Sequence, residues 1–143
     1  MELCNIAKIL GGPKVIPKKI QNKIDLIELS NTGITKNALF HLAKYLRLSM
    51  SQIAELLPIT ERTIQRYAPD KHFNRVVSEQ ILQIAEVVAK GVEVFEDKDK
   101  FISWMTQPNA ALSNRTSISL LSSRFGMEMV LDELGRIEHG VFS

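Results

Sequence analysis

Residues 50–67 read MSQIAELLPITERTIQRY, and the spacing of small and aliphatic side chains in this run decides the fold. Two short helices that cross closely need a small residue in the first, and Ala54 supplies it. Five positions later the chain must turn and send an apolar residue between the helices, which is Ile59. Five positions further on, Ile64 is the inward residue of the second helix. The spacing is that of a helix-turn-helix. Thr60 has the hydroxyl of an N-cap for the second helix. The polar positions Thr60, Glu61, Arg62, Thr63, Gln65 and Arg66, with Gln52 in the first helix, are of types that read base edges or grip phosphates. They are the candidate DNA-binding residues. The turn position that ordinarily holds glycine holds Pro58, whose φ is fixed at about −65°, so the turn must be built differently. A helical hairpin with a solvated polar face is the plainer reading of the same run.

Working outward, the signals remain helical. Thr35 caps a helix whose Leu39, Leu42, Ala43 and Leu46 share one face. Ser51 is the expected cap of the next helix, with Ile53, Ala54, Leu56 and Leu57, and Pro58 its stop. Ser78 opens the longest helix, with a stripe of Ile81, Ile84, Ala85, Val88, Val92 and Phe95. Gly91 inside that stripe marks a close helix crossing. The charged run EDKDK at residues 96–100 is a hinge between two modules. Phe101, Trp104 and Met105 follow on a short helix, with Trp104 a core residue. Ser117 caps a helix holding Ile118, Leu120, Leu121 and Phe125, stopped by Gly126. A last helix starts near Met127, carries Val130, Leu131 and Leu134, and ends at Gly140. Residues 1–30 are broken by Gly11, Gly12, Pro13 and Pro17. They read as an arm or packing segment, in which IDLIEL is a short strand or a helical turn. The expected fold class is all-α, with an arm over residues 1–34, a helix-turn-helix module over 35–96 and a small helical domain over 97–143.

Composition narrows the function classes. The chain has 143 residues, 45% apolar and 24% charged, as in an ordinary globular protein. No apolar run is long enough to span a bilayer, and MELCNIAKILGGPK makes a poor signal peptide. Cys4 is the single cysteine, compatible with a reducing cytoplasm. Net charge is +2, unevenly spread: 13 Lys and Arg against 8 Asp and Glu in residues 1–90, then 5 against 8. A basic front and an acidic back suggest two different partners, although scatter in a short chain produces the same imbalance. No nucleophile–base pair, metal-ligand spacing or phosphate-binding loop is present in the sequence. His41, His72 and His139 are scattered, and Asp132, Glu133 and Glu138 lie on a helix beside Arg136. No catalytic residue, metal or cofactor is expected, and no enzymatic activity.

The carboxyl-terminal run carries a more specific signal. It holds Trp104 shortly before Pro108 and Asn109, then Ala111 and Leu112, then Leu120 and Leu121, Gly126, and the ending LGRIEHGVFS. This arrangement resembles the C-terminal toxin-binding domain of the Xre/MbcA/ParS antitoxins. The helix-turn-helix and the long helix ending VEVFED resemble the central domain of the same family, so the resemblance covers roughly residues 30–143. Ser113 and Asn114 stand where usual members have a glycine. The resemblance implies a bacterial, cytoplasmic antitoxin of a type II toxin–antitoxin pair. Its partner would be a RES-domain toxin that destroys NAD⁺, and its C-terminal domain would cover the toxin's active site. Its helix-turn-helix would bind operator DNA and repress the operon, from a homodimer or higher oligomer. The implied toxin-binding residues are Arg136, Glu138, His139, Gly140, Val141, Phe142 and Ser143. Two other readings remain open: a stand-alone helix-turn-helix regulator with a C-terminal dimerisation domain, and an interaction protein in which Pro58 has ended DNA binding.

Overall fold

The computed structural model describes residues 2–140. The chain divides into two compact units, residues 1–86 and 87–143. The described elements are helical apart from one pair of two-residue strands, so the all-α expectation stands.

The first unit contains α1 (Glu2–Ile9), α2 (Lys23–Thr32), α3 (Lys36–Tyr45), α4 (Met50–Ala54), α5 (Glu61–Gln65) and the first part of α6 (Arg75–Phe95). The amino-terminal residues are built into it. Ile6, Leu10, Ile16 and Ile20 are all buried. IDLIEL is helical, as part of α2, because Asn22 and Asp25 form a capping box at its start. The Gln21 and Asn22 amides and the Lys18 amine hold the Asp25 carboxyl below the usual range. Thr35 caps α3 by accepting from the Ala38 amide at 3.2 Å, and Leu39, Leu42, Ala43 and Leu46 are buried as expected.

In this unit two helix starts differ from the sequence reading. Ser49, not Ser51, caps α4, and its partner in the capping box is Gln52. α6 begins at Arg75, where the Asn74 side chain accepts from the Val77 amide at 2.9 Å. Ser78 is therefore inside the helix and fully buried. Its hydroxyl accepts from the Ile34 amide (2.8 Å) and donates to the Phe73 carbonyl (3.3 Å). A serine at a helix start is usually a cap, but this one serves the Ile34 amide, 44 positions away, and the Phe73 carbonyl.

The second unit contains the end of α6, then α7 (Lys98–Thr106), β1 (Pro108–Asn109), β2 (Arg115–Thr116), α8 (Ser117–Leu120) and α9 (Arg124–His139). Gly91 sits at a close crossing as expected, since a Cβ there would enter the Phe101 ring. Within the charged run at residues 96–100, Glu96 takes a left-handed φ of 56°. Asp97 then caps α7 through the Lys100 amide at 3.1 Å. Thr116, not Ser117, caps α8. Ser123 caps α9 by accepting from the Gly126 amide at 3.0 Å, so the last helix starts three residues before Met127. Gly126 is not a stop. It lies in the first turn of α9, where a Cβ would run into the Leu120 carbonyl oxygen. Phe125 belongs to α9 rather than α8 and is 82% exposed. Met127, Val130 and Leu134 are buried on one face, with Leu131 half-buried. Gly140 ends the helix with φ 69° and ψ 24°, its amide reaching Arg136 and Ile137.

Candidate functional sites

The first site is the α4–α5 pair. Ala54 is buried at the end of α4 and Ile64 is buried in α5, as the spacing requires. Ile59 is only half-buried, contrary to the expectation that it enters the core. The turn explains why. α4 stops at Ala54, and the chain tightens through i→i+3 bonds from Leu56 to Ile53 (3.0 Å) and Leu57 to Ala54 (3.1 Å). Leu56 and Leu57 take the buried positions instead. No residue from 55 to 60 has a positive φ, so the turn does without the left-handed residue that Pro58 could not provide.

The expected DNA-binding side chains split by their local bonds. Thr60 caps α5 by accepting from the Thr63 amide at 3.2 Å, and the two hydroxyls are 2.9 Å apart. Gln52 closes the α4 capping box by accepting from the Ser49 amide at 2.8 Å. Glu61 is half-buried in the first turn of α5, while Arg62, Gln65 and Arg66 are exposed. The last three are the side chains of α5 most open to a partner.

Two basic residues near α5 escaped the sequence reading. The Lys36 amine donates to the Tyr67 carbonyl at 2.9 Å, from 31 positions away. The Lys71 amine lies 5.4 Å from the centroid of the Tyr67 ring, which stacks on Phe73 with centroids 5.2 Å apart. Neither lies on a periodic stripe, so only the folded chain brings them to the end of α5.

The second site is the end of α9. Arg136 donates through Nε to Glu133 at 2.8 Å, and Glu133 is buried. The guanidinium side chain remains 50% exposed. Lys90 donates to Glu138 at 2.8 Å, which holds the Glu138 carboxyl below its usual range. His139 is exposed beside it. Val141, Phe142 and Ser143 lie outside the described residues. Trp104 is half-buried rather than a sealed core residue. It groups with Phe95 and Phe101 at centroid distances of 5.5 and 6.2 Å and lines an open groove. Between α7 and α8, the Asn109 side chain accepts from the Ala111 amide at 2.9 Å, and the Asn114 amide closes back on the Asn109 carbonyl at 2.9 Å. The turn needs left-handed residues at Ser113 (φ 58°) and Asn114 (φ 62°).

Comparison with known proteins gives a family match for each half of the chain. Residues 90–140 match the family described as the antitoxin Xre/MbcA/ParS C-terminal toxin-binding domain. Residues 25–86 match the antitoxin Xre-like helix-turn-helix domain. An Antitoxin Xre of Yersinia enterocolitica is 31% identical over 120 residues, covering 82% of this chain and 81% of its own. The chain belongs to the Xre antitoxin family. A second relative of this family, the Antitoxin Xre of Photorhabdus laumondii, is 29% identical over 115 residues, covering 79% of this chain and 78% of its own. The Xre-family fold is similar to that in the crystal structure of the M. tuberculosis MbcT–MbcA toxin–antitoxin complex. There the TM-score is 0.52 at 16% identity, over 87% of this chain and 100% of that one. The named relatives are antitoxins and not enzymes, in keeping with the sequence reading. No helix among the described residues is long and apolar enough to cross a membrane.

Proposed function

We propose that this Xre-family antitoxin neutralises a RES-domain, NAD⁺-degrading toxin with residues 97–143 and represses its own operon through the helix-turn-helix. The observation that carries the first half is the end of α9. Gly140 closes the helix in a left-handed turn, and Val141, Phe142 and Ser143 follow it in the sequence. The apolar pair Val141 and Phe142 suits insertion into a cleft built for a dinucleotide. Phe142 and Val141 are the apolar anchors of the insertion, with Ser143 beside them. Arg136 and His139 contact the rim of the cleft. Glu138, gripped by Lys90, holds the last turn in place as well as facing the partner. The complex between a toxin and the structural neighbour supports a protein partner of this kind.

Repression rests on α5. Arg62, Gln65 and Arg66 reach base edges or phosphates of operator DNA, with Thr60, Thr63, Glu61 and Gln52 around them. A module this small binds usefully as a dimer on two half-sites. Toxin protection in cells tests the first half. A chain ending at Gly135 should fail to protect, and so should one ending at Gly140, which keeps the α9 cap. Full protection by the Gly140-ended chain sinks the tail as the inhibitory element. For the second half, Gln65→Ala with Arg66→Ala should abolish specific retardation of the upstream promoter. Unchanged binding would reject α5 as the reading helix.

A further inference from the structure

We propose that Lys36 and Lys71 form a phosphate clamp beside α5, gripping the DNA backbone and fixing the register in which α5 meets the bases. The proposal rests on the reading of α5 as a DNA-binding helix and adds to it a backbone contact made by different elements.

Three observations carry it. First, the two amines converge on one residue. Lys36 enters from the first turn of α3 and donates to the Tyr67 carbonyl at 2.9 Å, while Lys71 stands 5.4 Å from the Tyr67 ring centroid. Tyr67 lies two positions beyond the last residue of α5, so both charges sit at that helix's carboxyl end. Second, the site is held rigidly. The Tyr67 ring stacks on buried Phe73, and the Lys36 and Asn37 amides donate to the Lys71 (3.0 Å) and Pro69 (2.8 Å) carbonyls. Long flexible amines normally lose much side-chain entropy on binding. Here their freedom is already curtailed in the free protein. Third, the charges are unspent. Elsewhere in this unit Lys18, Lys23 and Arg75 are each matched to a carboxylate at 3.3–3.8 Å, while Lys8, Lys14, Lys19 and Lys44 are not but do not converge on α5. Among the described residues, Lys36, Lys71, Arg62 and Arg66 take part in no ion pair, even though Asp70 adjoins Lys71. Four unneutralised cations around one five-residue helix complement a polyanion, and the phosphate spacing of duplex DNA offers them several partners.

The division of labour follows from chemistry. Ammonium groups are point charges suited to phosphate oxygens, whereas Gln65 and the arginines have the forked donors that distinguish bases. The clamp therefore contributes affinity and register, and leaves sequence preference to α5.

The test is the salt dependence of operator binding by the full chain, measured for the wild type, Lys36→Gln, Lys71→Gln, and the charge-keeping Lys36→Arg and Lys71→Arg. Each glutamine variant should reduce the slope of log affinity against log salt by about 0.9. It should weaken binding to operator and to unrelated DNA by the same factor, leaving their ratio unchanged. The arginine variants should keep the wild-type slope, which separates lost charge from lost folding. Glutamine variants with the wild-type slope overturn the clamp while α5 still reads DNA. Arginine variants that fall as far as the glutamine ones overturn it too, and point to a structural role. A wild type without salt-dependent binding overturns both the clamp and the helix reading.

Discussion

Two glycines in one helix show how far local surroundings decide the effect of a single methyl group. Gly126 and Gly135 both lie in α9. A Cβ on Gly126 would strike the Leu120 carbonyl, which cannot move without shifting α8, whereas nothing lies within 4 Å of a Cβ on Gly135. Gly126→Ala should therefore cost about 3 kcal/mol. Gly135→Ala should stabilise the helix by roughly 0.5–1 kcal/mol, because alanine loses less backbone entropy. Urea unfolding of the two variants reads both numbers, and equal effects would refute the contact argument. Glu138 makes a second residue-scale prediction. The Lys90 hydrogen bond lowers its pKa in the folded chain. The stabilisation from this pair is thus complete above the ordinary glutamate range and is lost as pH falls through the lower folded value. In a ¹³C titration, Lys90→Met should raise the Glu138 midpoint toward that of an unpaired glutamate. A midpoint that stays put would assign the shift to something else.

At the scale of elements, α5 has five residues, too few to persist on helix propensity alone. It survives because Ile64 is buried and Thr60 caps it. Thr60→Ala should cost about 1 kcal/mol of unfolding free energy and weaken operator binding, while Thr60→Ser should keep both. If Thr60→Ala unfolds like the wild type in urea, the cap is not what holds α5. The same element marks the boundary of what the sequence disclosed. Helices with a sustained stripe, α3 and the body of α6, were legible from Leu39, Leu42, Ile81 and Val88. The caps were harder, because serine and threonine are dense here and the hydroxyl that caps is chosen by tertiary fit. Ser49 displaced Ser51, Asn74 displaced Ser78, and Ser123 made Gly126 an interior residue rather than a stop. Ile59 was misplaced because a proline-containing turn rotates the chain differently from a glycine turn. Of the candidate sites, the residues proposed on α5 and at the end of α9 rest on spacing and resemblance. Lys36 and Lys71 were not, since only folding carries them to Tyr67.

For the whole molecule, the division into residues 1–86 and 87–143 predicts separable activities. A chain carrying Gln65→Ala and Arg66→Ala should lose promoter binding in a gel shift yet still protect cells from the toxin. The chain ending at Gly140 should show the reverse. Loss of both activities in either variant would mean that the two halves cannot be assigned to different ends of the chain.

The aromatic residues have a practical consequence. Tyr45 and Tyr67 are the only tyrosines and both belong to the first unit, while Trp104, the only tryptophan, belongs to the second and is half-buried beside an open groove. The chain is therefore labelled by nature with two spectrally distinct reporters. Excitation at the red edge of the absorption band selects the indole alone, so its emission follows melting or occupation of the carboxyl-terminal half without any dye. Tyrosine second-derivative absorbance in the near ultraviolet follows the amino-terminal half in the same cuvette.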